Sequence, residues 1–446
     1  MEQQHMFTNR MIRNLLVPVV LEQILNSIMG TADTMMVSNV GSAALSAVSL
    51  VDSINILLIQ AFSALAAGGA IVCAQYIGQK NYEKANMSAR QVLFIITAIS
   101  VAVSAACLIF QKPLLRLIFG AVEADVMHAS ETYFFYTALS FPFIASYDAA
   151  ASIFRAQENT KGPMIISMIS NIMNIGGNAI LIWVFHLGVA GAAISTLVSR
   201  IFCAVVVLYQ LRKDRQPIVV REYLKIRPDW SMIGRILGLG IPSGIENSMF
   251  QLGKLAIQST VSTLGTAAIA AQAMTNILEN LNGIAAIGVG VGLMTIVGQC
   301  LGAGRKDEAV YYIKKLCVIA EIVITVSCLI VYAVARPVTI LGGMEKSSAA
   351  MCIHMITWIT IVKPLVWTMA FVPGYGLRAA GDVKFSMITS CCTMWACRFC
   401  LCVFLIRVLG FGPMGVWIGM FADWTVRGII FTWRFHSRRW LEHKVI

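Results

Sequence analysis

Charge is scarce in this chain: Asp, Glu, Lys and Arg make up 13% of its 446 residues, while apolar side chains make up 58%. An ordinary soluble domain carries about twice that share of charge, so the deficit excludes one. Long polar stretches are missing too. The longest polar connector runs from about Leu211 to Met232, too short for a soluble domain of even ~50 residues. No GxxxxGK[ST] loop occurs, which removes the phosphate cradle an ATP-driven pump needs. The twelve cysteines lack the partners that chemistry requires: Cys397 and Cys400 have metal-like spacing, but no second pair or His stands nearby. They read as small apolar packing residues.

What the chain has instead is apolar sequence in bilayer-length runs. A span takes about 20 mostly apolar residues. Twelve stretches qualify, at roughly 15–38, 47–73, 92–111, 132–154, 164–185, 189–210, 236–262, 271–298, 316–335, 351–376, 385–406 and 411–433. The fold class is therefore an all-α polytopic membrane protein. A net charge of +12 would suit nucleic acid, but the basic residues gather in alternate connectors: Arg10 and Arg13, Lys80 and Lys84, Arg155 and Lys161, the run from Arg212 to Arg235, and Arg434 to Lys444. Basic connectors stay cytoplasmic, which places both termini inside and demands an even number of spans. Nucleic acid is not an expected partner. The opening MEQQHMFTNRMIRN leads into an apolar run without a small-residue cleavage site, so the first span is expected to be retained as a signal anchor.

Shifting the chain by 224 residues pairs Pro18 with Pro242, Glu22 with Glu246, Gly41 with Gly265, Gly68 with Gly292, Gln75 with Gln299 and Gly78 with Gly302, without a gap. Pro and Gly matching in one unbroken register mark an internal repeat. Six spans per repeat is an even number, so the repeats enter the membrane with the same orientation and are parallel, as in rocking secondary transporters. No filter loop or ring of charge suggests a channel. The expected division is an amino-terminal lobe over 1–210, a cytoplasmic connector over 211–232 and a carboxy-terminal lobe over 233–446.

An acid inside a span costs roughly 2.5 kcal/mol or more on insertion scales, which makes it a functional candidate. Asp33, deep in LLVPVVLEQILNSIMGTADTMMVS, is the clearest case. Asn26 and Met29 precede it by about two turns and one turn, on or near the same helix face. Glu22 and Glu246 each lie four residues after a proline, where a carboxylate either settles the helix start or gates. Glu279 is central enough to hold a cationic substrate or to pair with Lys254. Asn26, Met29, Glu279 and Glu246 are the candidate substrate-cavity residues. Asp423 and Arg427 have the i, i+4 spacing of a structural ion pair. Asp148, Lys363 and Arg398 have no partner that spacing can name.

The segments ADTMMVSNVGSAALSAVS, QYIGQKNYEKA with its echo QCLGAGRKDEA, FRAQENTKGP with its echo LRAAGDVK, and NIMNIGGNAILIWVFHLGVAGAAIST together resemble the multidrug and toxic compound extrusion (MATE) transporters, over essentially the whole chain. The resemblance implies a V-shaped pair of six-helix bundles in the cell inner membrane, exporting bulky, often cationic compounds in exchange for protons or sodium. It implies no enzymatic activity and no cofactor beyond the coupling ion H+ or Na+. A monomer is expected, with a small-molecule substrate and the lipid bilayer as its partners.

Many bacterial members carry a first-span Asp, the place Asp33 holds here. In the prokaryotic branch with an amino-terminal cation site the fifth span reads N-x-x-x-D and the sixth GAA-x-x-T. Asn174, Asn178 and Thr196 stand at those positions, with Asn178 in place of the acid. One carboxylate among neutral oxygens suits a small hard cation, or a proton that trades places with a cationic compound. Loss of the second acid favours the proton over sodium, and no other metal site is expected. The other branch has acids in its seventh and tenth spans, where Phe250 and Trp367 stand here, so a carboxy-terminal sodium site is not expected. The resulting expectation is a proton-coupled antiporter of amphipathic or cationic drugs or metabolites. A dedicated natural-product exporter and a flippase for lipid-linked saccharide precursors are the alternatives.

Overall fold

The computed structural model describes residues 5–446. Among the described residues there is no strand; the helices group into twelve span-length segments, with a short helix, Gln111–Phe119, between the third and the fourth. The first repeat contributes α1 (Asn9–Ser38), α2 (Ser42–Gly78), α3 (Tyr82–Ile109), α4, α5 (Lys161–Val184) and α6 (Val189–Leu211). The second contributes α7 (Trp230–Val261), α8 (Thr266–Gly302), α9 (Lys306–Leu341), α10 (Lys346–Ala379), α11 (Val383–Arg407) and α12 (Met414–His436). Helix α4 is broken at Ser140 into Ala124–Leu139 and Phe141–Ala156. Helices α5 and α11 change to π-helical winding, over Ala179–Val184 and Met394–Cys400 respectively.

Nine of the described helices are long and apolar enough to cross a membrane. The other three expected spans are helical but differ for visible reasons. The halves of α4 have 16 residues each. Helix α7 dilutes its apolar residues with Gly, Ser and Asn and carries Glu246 and Lys254, and α12 carries Asp423 and Arg427. Turn geometry follows the repeat. Gly41 and its mate Gly265 precede α2 and α8 with φ of 148° and 97°, values that only glycine adopts without strain.

By packing, the chain forms two compact units. One is Leu25–Gly244, in which α2 packs on α3 and on both parts of α4, and α6 packs on α4 and α5. The other takes the chain up to Ile24 together with Ile245–Val445, in which α8, α9 and α10 pack mutually and α12 packs on α10 and α11. These bounds differ from lobes at 1–210 and 233–446 in the opening turns of α1 and α7, which leave their own repeat. Leu15 and Leu16 of α1 share a core with Leu293, Ile296 and Ile313.

Glycine makes those exchanges possible. A Cβ on Gly288 would lie 2.9 Å from the Val20 Cα, and one on Gly68 would lie 2.7 Å from the Gly240 nitrogen. Gly68 and Gly292 are repeat mates, and so are the residues they face, Gly240 and Leu16. Gly68→Leu is accordingly expected to cost about 1–3 kcal/mol through overpacking, read as a lower melting temperature in detergent. Gly30→Leu, whose Cβ would meet nothing within 4 Å, should leave that temperature nearly unchanged.

Candidate functional site

In the unit Leu25–Gly244, helix α5 carries a polar stripe through its apolar sequence: Ser167, Asn171, Asn174 and Asn178, spaced by four, three and four residues. That spacing keeps all four on one face, and the second half of α1 lies along it. The Asn26 Oδ1 accepts from the Ser167 hydroxyl and from Asn171 Nδ2, each at 2.8 Å. Two turns on, Asn178 Nδ2 donates to Asp33 Oδ1 and to Asn174 Oδ1 at 3.3 Å. Asn174 Nδ2 in turn donates to Thr196 Oγ1 on α6 at 3.3 Å. Close approach of α5 and α6 is secured where Gly177 meets the Ser195 side chain and where the Ser195 hydroxyl donates to the Asn174 carbonyl at 2.8 Å.

The four coupling candidates Asp33, Asn174, Asn178 and Thr196 are thus brought into one hydrogen-bonded chain. Asn178 is fully buried, and its Oδ1 has no donor. A buried acceptor without a partner is costly. Beside the Asp33 carboxylate, it makes the site rich in acceptors and ready for a proton or a small cation. The π-helical stretch begins at the next residue, Ala179, a winding that collects at functional sites.

The expectation of a single formal charge needs correction. Asp52 on α2 is an electrostatic neighbour of Asp33 and accepts from the Tyr133 hydroxyl at 3.1 Å and from Asn55 Nδ2 at 3.2 Å. Arg200 on α6 interacts with Asp33, Asp52 and Asp148 and donates to Ser140 Oγ at 2.7 Å, at the break in α4. Asp148 therefore does have a partner. Sequence reading missed Asp52, Tyr133 and Arg200, although the rule that singled out Asp33, a charge within an apolar span, applies to Asp52 and Arg200 as well. Met29 is half-buried on α1.

The remaining candidates belong to the other unit. Glu22 is buried there. Glu246 is buried and accepts from Arg378 Nη2 at 2.6 Å. Glu279 is paired not with Lys254 but with Lys363, at 2.6 Å. Asp423 and Arg427 form the expected i, i+4 pair at 2.9 Å, and Arg398 joins the same carboxylate at 3.1 Å. The two aromatics at positions where another branch has acids are both held against cations: Phe250 against Lys254, Arg398 and Arg427, and Trp367 against Lys363. No group of three or more His, Cys, Asp or Glu residues among those described could hold a metal ion.

Two six-helix repeats with ionised groups set inside apolar helices define a polytopic helical membrane transporter. A family model described as MatE matches residues 18–180 and again 242–404, the second match starting and ending 224 residues after the first. The chain belongs to the MatE family. It is 26% identical over 432 residues to the uncharacterized transporter YisQ of Bacillus subtilis, covering 95% of this chain and 93% of that one. It is 25% identical over 439 residues to YoeA of the same organism, described as a probable multidrug resistance protein, covering 96% and 94%. A crystal structure of MATE in complex with MaL6 shares the fold, with a TM-score of 0.90 at 18% identity over 96% of both chains.

Proposed function

We propose that this protein is a proton-coupled antiporter that exports amphipathic small molecules by alternating access. The observation that carries the reading is the Asp33 carboxylate bonded to Asn178 beside an acceptor without a donor. A proton on Asp33 supplies the missing donor and removes the charge in one step. Sodium is the weaker choice, because the guanidinium of Arg200 already acts on the same carboxylates, and a fixed cation repels a second one. The relative described as a probable multidrug resistance protein fits export of foreign compounds.

In this reading, protonation exchanges the charge-assisted bond from Asn178 Nδ2 for a neutral pair in which Asp33 also donates to Asn178 Oδ1, and this rearrangement changes the bend of α1. Pro18 within the helix supplies the weak point, since it has no N–H to complete the ladder. The Lys and Arg distribution supports a cytoplasmic-membrane location with both termini inside.

Efflux from proteoliposomes under separately imposed proton and sodium gradients tests the coupling. Efflux should follow the proton gradient at constant sodium. Efflux driven by sodium alone, at uniform pH, would assign the site to sodium instead.

A further inference from the structure

The unit made of the chain up to Ile24 and Ile245–Val445 holds its own concentration of charge inside the helices, and its sign is reversed. Where the unit Leu25–Gly244 sets Asp33, Asp52 and Asp148 against Arg200, this one sets Lys254, Lys363, Arg398 and Arg427 against Glu279 and Asp423. Within this set the cations outnumber the acids by two; the same unit also holds the buried Glu22, the Glu246–Arg378 pair and Glu321 of α9.

Glu279 and Asp423 are both paired. Glu279 Oε1 binds Lys363, whose ammonium is also held by Asn282 Oδ1 at 2.5 Å and by the Glu279 carbonyl at 3.2 Å. Asp423 is shared by two guanidinium groups, Arg398 and Arg427. Besides one acceptor, Glu246 Oε2, several buried donors remain open in this unit. Arg398 Nε, Arg427 Nε, Trp424 Nε1 and Asn282 Nδ2 are buried without an acceptor, in side chains at most 2% exposed. Lys254 is exposed and makes no hydrogen bond or ion pair among the described residues. Its ammonium lies 4.9 Å from the centre of the Phe250 ring, and Arg398 and Arg427 lie 4.8 and 5.9 Å from the same ring. Glu279, the acid within its electrostatic reach, is already taken by Lys363.

A purely structural network inside apolar helices would be neutral, because each uncompensated buried charge costs several kcal/mol. An excess of two cations among these six residues, four buried donors without acceptors and an exposed ammonium facing the same ring describe a cluster that an anion completes. Arg398 itself sits in the π-helical stretch of α11, backed by Gly419 of α12, where a Cβ would lie 2.8 Å from the Arg398 carbonyl.

We propose that this cluster binds an oxyanion, a carboxylate or phosphate group, on an amphipathic molecule. Lys254 is its direct ligand, the Phe250 face receives adjoining apolar surface, and Arg398 and Arg427 supply a fixed positive field. Calling the occupant a transported substrate rests on the exporter reading above; the binding does not.

The test is binding by the purified full chain in detergent, using two matched pairs: riboflavin 5′-phosphate against riboflavin, and fluorescein against rhodamine 6G. The anionic member of at least one pair should bind about tenfold more tightly than its mate. Lys254→Glu should erase or invert that preference while changing the melting temperature little, since Lys254 has a ring contact but no hydrogen bond or ion pair to lose. Success with the phosphate pair alone assigns the site to phosphates, and success with fluorescein alone to carboxylates. The proposal is overturned if neither anion is preferred, or if Lys254→Glu leaves the preference intact. Probes that bind with the expected preference but never cross proteoliposome membranes under a gradient would overturn the exporter reading and leave the anion site standing.

Discussion

Asp33→Asn is expected to reduce gradient-driven efflux to the level of protein-free liposomes while the protein stays folded. The substitution is nearly isosteric and keeps an oxygen for Asn178 Nδ2 to donate to, so its effect on stability should stay within about 1 kcal/mol, the worth of one ordinary hydrogen bond. What it removes is the charge that a proton can neutralise. Binding of substrate should survive, whereas its dependence on pH should flatten. Full pH-driven efflux by the Asn variant would take the coupling role from Asp33. Asp52→Asn is then the informative second variant, because Asp52 shares the electrostatic surroundings of Asp33 and Arg200.

The second large effect concerns stability. Asp423 is fully buried and is the shared counter-ion of Arg398 and Arg427. Asp423→Ala leaves two guanidinium groups without a counter-charge, and breaking a buried pair in this way costs about 3–5 kcal/mol. A fall in the melting temperature larger than that of any other substitution considered above is the expected result. Combining Asp423→Leu with Arg398→Met and Arg427→Met should recover much of the loss, because an apolar replacement of a whole buried network is often tolerated. A single Asp423→Ala variant that melts like the unaltered protein would show that water reaches these arginines.

Twelve helices and their repeat were legible in the sequence because apolar length and the register of Pro and Gly are local signals. Asp33, Asn174, Asn178 and Thr196 were legible through the resemblance, and the structure joins all four. Three features were not legible, each for a physical reason. Lys363, not Lys254, pairs with Glu279, because partners across a bundle are chosen by helix rotation and not by distance along the chain. The link of Asp52 and Arg200 to Asp33 was not legible because it runs between helices and appears only once α1, α2 and α6 are packed. The exchange of the opening turns of α1 and α7 between units is invisible to a repeat comparison, which matches each residue to its mate whichever helix it packs against.

The π-helical stretches of α5 and α11 give this architecture a form of slack. One directly follows Asn178 and the other contains Arg398, so each charged cluster adjoins a helix wound with a spare residue. Moving such a spare residue along a helix by one position swings the intervening side chain through about 100°, the angle between successive residues at 3.6 per turn. The two helices can therefore re-aim a wall residue without breaking the chain or sliding end to end, a rotary adjustment confined to a few residues within each unit.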